Sequence, residues 1–68
     1  MDKQKINLWI DGFKKSGRSF ESEIAEIEGC IDNETLWMKG STDPEAIEMH
    51  YQNIQDYREY LKWLDENK

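Results

Sequence analysis

Residues 43–66, DPEAIEMHYQNIQDYREYLKWLDE, decide the fold. Asp43 can accept a hydrogen bond from the first free amides of a helix, and Pro44 suits the first helical position, where no amide hydrogen is needed. Glu45 and Glu48 then favour the positive end of the helix dipole. Behind this start Ile47, His50, Ile54, Tyr57, Leu61 and Leu64 recur at alternating spacings of three and four, one stripe of a helix with the coiled-coil repeat. With no Gly or Pro to interrupt it, the helix forms a rod of roughly 35 Å at 1.5 Å per residue, long enough that its apolar stripe requires cover.

The cover lies upstream. Ser19 is a candidate cap for a second helix whose pattern runs through Phe20, Ile24, Ile27, Ile31 and Met38 to a stop at Gly40. Gly29 and the Asp32-Asn33 pair are its weak points, and a fray or kink near Gly29 is allowed because Gly costs about 1 kcal/mol relative to Ala in a helix interior. If the two helices fold back through Gly40-Ser41-Thr42, facing residues must have numbers that add to a constant. Met38 with Ile47, Ile31 with Ile54 and Ile24 with Leu61 each give 85, while Ile27 with Tyr57 and Phe20 with Leu64 give 84. Five apolar layers joined by a short loop specify an antiparallel helical hairpin. The same register sets Glu34 opposite His50, a possible polar layer that could act as a pH switch or pin the register, or could be a wet layer near the loop with no role.

Ile6, Trp9, Ile10 and Phe13 mark one face of a short first helix, with Leu8 off that face and Ser16-Gly17 at its end. Two or three turns are not stable alone in water, so this helix is expected to close one open side of the hairpin with Trp9 and Phe13. The expected architecture is all-α: a single helical domain over residues 1–68, with a short N-terminal helix at about 3–15 and a long hairpin at about 19–39 and 44–66. Either a three-helix arrangement or a dimer of hairpins satisfies the pattern.

Composition narrows the function. A chain of 68 residues has a small core, and Cys30, its lone cysteine, can form no intrachain disulfide. That thiol sits among Glu26, Glu28 and Asp32, which disfavour a reactive thiolate. One His and one Cys offer no metal site, the four glycines are too scattered for a phosphate loop, and no nucleophile, base and orienting group fall together. No catalytic residue, metal ligand or cofactor-binding residue is assigned, and the chain is read as a non-enzyme without cofactors. No apolar run approaches a membrane span, so a cytoplasmic protein is expected.

The net charge of −6 argues against direct nucleic-acid binding. Lys3, Lys5, Lys14, Lys15 and Arg18 form a basic N-terminal patch against Asp2 and Asp11, whereas residues 19 to 43 carry seven carboxylates against Lys39. Two readings follow. The first is a protein–protein interaction module, self-associating as a homodimer or higher oligomer, which regulates or inhibits a partner protein by occupying its surface. It would use Trp37, Met49, Tyr60 and Trp63, which lie off the main stripes and are residue types enriched at interfaces. Small acidic helical chains of this type also fit accessory regulators such as those of phages. The alternative is an acidic nucleic-acid mimic, in which Glu21, Glu23, Glu26, Glu28 and Asp32 imitate phosphates and block the basic groove of a DNA- or RNA-binding protein.

Overall fold

The computed structural model describes residues 3–68, with side chains from Gln4 onward; Asp2 and the side chain of Lys3, both part of the N-terminal charge pattern, lie outside the described residues. Among these residues there are three helices and no strand: α1 (Lys3–Ser16), α2 (Phe20–Gly40) and α3 (Pro44–Asn67). They form an up-down-up three-helix bundle with a longest dimension of 39 Å.

Each helix ends for a local reason. Ser16 donates from its hydroxyl to the Phe13 carbonyl at 2.7 Å, and Gly17 follows in the left-handed region at φ 73°, which turns the chain out of α1. Ser19 caps α2 by accepting from the Ser22 amide at 3.1 Å, and Asp43 caps α3 by accepting from the Glu45 amide at 3.1 Å. Pro44 follows Asp43, as the sequence requires. α2 runs unbroken through Gly29, held by tertiary packing where local propensity is weakest.

Two bonds between side chains pin the hairpin register. His50 Nδ1 pairs with Glu34 Oε2, and the Tyr60 hydroxyl donates to Glu23 Oε2 at 2.6 Å. Their residue numbers add to 84 and 83, in line with the apolar layers. α1 runs parallel to α3: Lys5 meets Asp56 and the Trp9 carbonyl lies 3.4 Å from the Tyr60 hydroxyl oxygen, both across 51 positions. The centre of the core is Ile6, Phe13, Ile27, Tyr60 and Leu64, joined by half-buried Trp9, Phe20, Ile24, Ile31, Tyr57 and Leu61. It lies at the end of the hairpin remote from the loop, where all three helices overlap.

Candidate functional site

The four residues expected at an interface divide into two groups. Tyr60 is 1% exposed and is a core residue, a correction that follows from the position of α1. Trp9 of α1 stacks on Tyr57 with ring centroids 5.1 Å apart and tilts against Tyr60 at 5.6 Å. Trp63 is half-buried, edge-on to Phe13 at 6.3 Å, with the Lys14 ammonium 5.8 Å from its ring centre. Sequence periodicity missed this because α1 has no loop-imposed register against α3, and its apolar stripe alone does not say which flank it covers.

Trp37 and Met49 remain exposed, at 64% and 55%. They belong to a collar at the loop end of the hairpin that includes Leu36, Ile47 and Tyr51, all exposed. These residues fall within the last turns of α2 and the first turns of α3; Leu8, on α1, is exposed apart from them. Leu36 was already visible as lying off the stripe of α2, but Ile47 was assigned to the core stripe. Its layer with Met38 is the last before the loop and is open to water.

Under this collar sits the Glu34–His50 pair. His50 is buried, Glu34 half-buried, and the Trp37 ring stands edge-on to the imidazole with centroids 5.7 Å apart. The polar layer is therefore inside the hairpin and capped by an aromatic ring.

The five candidate acids do not form one row. Glu23 is buried beside Tyr60, with Oε1 3.1 Å from Arg18 Nη1 but making no hydrogen bond of its own. Glu26 is tied to Arg18. Glu21, Glu28 and Asp32 are exposed on one flank of α2. Arg18 is held above its ordinary pKa, chiefly by its bond to Glu26. Burial raises the Tyr57 and Tyr60 phenols, and the hydrogen bond to Glu23 raises Tyr60 further. A groove of about 400 Å³ opens between α1 and α2, lined by Leu8, Trp9, Phe13, Ile27 and Cys30 over the Arg18–Glu23 pair. Its charged groups are already engaged with one another, and its Tyr60 hydroxyl is committed to the Glu23 carboxylate.

Among the described residues no group of three His, Cys, Asp or Glu side chains is placed to hold a metal ion, and no helix is long and apolar enough to cross a membrane. Comparison with protein-family models, with characterised proteins and with solved structures gives no match to this chain. What the fold defines is an all-α three-helix bundle with one end left open.

Proposed function

We propose that the chain is a non-enzymatic protein–protein interaction module that regulates or inhibits a partner by occupying its surface with the loop end of the hairpin. The observation that carries this reading is the segregation of exposed large side chains. Leu36, Trp37, Ile47, Met49 and Tyr51 fall at one end of a bundle whose other end packs its aromatics into the core, buried or half-buried. Exposed large side chains concentrated in one region mark interaction sites, and Trp, Tyr and Met are residue types such sites favour.

The test pairs light scattering on the full chain, at two concentrations, with affinity capture from a cytosolic extract. Any association, with itself or with another protein, is expected to weaken at least about tenfold in Trp37→Ala, whose helix content by circular dichroism stays at the parent level. Parent-like behaviour of the variant in both assays would overturn the reading. The mimic alternative now has Glu21, Glu28 and Asp32 as exposed acids on one flank of α2, with exposed Glu26 tied to Arg18, and its signature would be a complex lost steeply with salt and indifferent to Trp37.

A further inference from the structure

Met49, Asp56 and Trp63 stand seven residues apart on α3, and Asp56 and Trp63 are where Lys5 and Phe13 of α1 meet that helix. Glu23, Cys30 and Trp37 stand seven apart on α2, and Glu23 and Cys30 line the groove that borders α1. A seven-residue step returns to nearly the same face of a helix, displaced by about 20°. Met49 and Trp37 thus continue the two walls of the trough in which α1 lies.

α1 fills only part of that trough. With partners 51 positions ahead on α3, its first residue, Lys3, comes level with Ile54. The stretch from Pro44 to Asn53, about 15 Å or three turns of α3, has no third helix beside it among the described residues.

We propose that this open stretch is a docking site for an amphipathic helix of another protein, apolar along one stripe and basic on its flanks, lying end to end with α1 in the third-helix position. The proposal rests on the interaction-module reading and names the chemistry of its partner. The filled half of the trough displays what the trough accepts: α1 inserts Ile6, Trp9 and Phe13 while Lys5 reaches Asp56 and Lys14 lies over Trp63. Charge selects between a foreign helix and a second copy. Residues 30 to 53 carry Asp32, Glu34, Asp43, Glu45 and Glu48 against Lys39, and all but Glu34, which is bonded to His50, are exposed. Two copies meeting at this end would set acid against acid, which costs association rate and affinity, whereas Lys and Arg on an incoming helix complement the net negative charge of this end. The apolar face of a second copy's α1 is not on offer either, because it is already buried in its own core.

The probe is a synthetic peptide with the sequence of residues 3–16, itself a basic amphipathic helix former, added to isotope-labelled full-length chain and followed by NMR. The expected result is saturable shifts of the Trp37 indole and Met49 methyl signals, with those of Trp9 and Trp63 unmoved. Affinity should fall about tenfold in Trp37→Ala, and by a similar factor when Lys3, Lys5, Lys14 and Lys15 of the peptide are changed to Glu. No saturable shift, equal binding of both peptides, or shifts centred on Trp9 and Trp63 would each overturn the proposal, the last because it reports displacement of α1. If the peptide fails while light scattering finds a Trp37-dependent dimer, the partner assigned here is wrong and the interaction-module reading stands. If the peptide, light scattering and affinity capture all show no Trp37-dependent association, both readings fall.

Discussion

Tyr60 donates a 2.6 Å hydrogen bond to the Glu23 carboxylate, and through it the deepest aromatic of α3 is tied to an acid that α2 carries into the core. A buried carboxylate is costly unless its oxygens are compensated. Here Oε2 is satisfied by the phenol, and Oε1 has the Arg18 guanidinium 3.1 Å away as a neighbouring positive charge. Arg18 sits in the short α1–α2 connection, so one cluster joins all three helices.

Tyr60→Phe keeps the ring and removes the donor. Glu23 Oε2 is then left buried without a partner, and the expected loss is about 1–3 kcal/mol in urea unfolding. The double variant Tyr60→Phe with Glu23→Leu should recover part of that loss, because no polar atom is then orphaned. A double variant no more stable than Tyr60→Phe would mean that the hydrogen bond is not what the site depends on.

The same phenol predicts a pH dependence. Tyr57 and Tyr60 both titrate above the ordinary value of 10 in the folded chain, mainly through burial. Above pH 10 the unfolded chain releases these protons before the folded chain does, so stability falls as pH rises through that window and is whole below it. Urea midpoints should therefore decline in alkali. Tyr60→Phe should flatten the decline, and a decline equally steep in that variant would count against the assignment.

Glu34 and His50 form a coupled pair inside the hairpin, roofed by Trp37. Removing either partner leaves the other buried alone, so Glu34→Leu and His50→Leu should each destabilise by about 1–3 kcal/mol. Replacing both with Leu should be close to neutral or stabilising, as is common for buried pairs exchanged for apolar contacts. A double-mutant cycle on thermal unfolding measures this, and additive single effects would show that the pair is not coupled.

The hairpin was legible because two stripes of period 3.5 and a short loop leave a single register that matches five layers, and that register also places Glu34 on His50. The third helix was not. Its contacts with α3 follow a constant difference of residue numbers, and no connection between α1 and α3 fixes that difference in advance. Tyr60 and Trp63 therefore read as surplus aromatics, and Glu23 as a surface acid, although Glu23 opposite Tyr60 falls within one unit of the hairpin sum. A carboxylate facing a phenol at that register was the available signal. Trp37 and Met49 were read as exposed because they lie off both stripes, and no described residue of α1 comes level with them.

Two glycines separate backbone freedom from backbone need. Gly29 lies within α2 with no atom near the position a β-carbon would take, so Gly29→Ala should stabilise by about 1 kcal/mol through helix propensity alone. Gly17 also has open space around it, but its φ of 73° strains any L side chain, and Gly17→Ala should destabilise by about 1 kcal/mol. Thermal melts of the two variants should move in opposite directions; shifts of the same sign would contradict the helical assignment of Gly29 or the turn at Gly17.

α1 is the shortest helix and docks mainly on α3, with a groove separating it from α2. Its N-terminal half is anchored by Lys5, whose ammonium lies 3.2 Å from the buried Asp56 carboxylate and 5.2 Å from the centre of the Trp9 ring. Few buried contacts and a short helix place α1 at the low end of local stability, so its amides should exchange with solvent before those of α2 and α3 around Ile27 and Tyr60. Lys5→Met keeps much of the aliphatic stem but leaves Asp56 without its cation, and because Lys5 is partly exposed the expected loss is modest, about 1 kcal/mol. That loss should appear first as faster exchange in α1, with the hairpin amides little changed. Uniform acceleration across all three helices would mean instead that α1 and the hairpin open as one unit, and that the trough beside Met49 and Trp37 could not be filled independently of the fold.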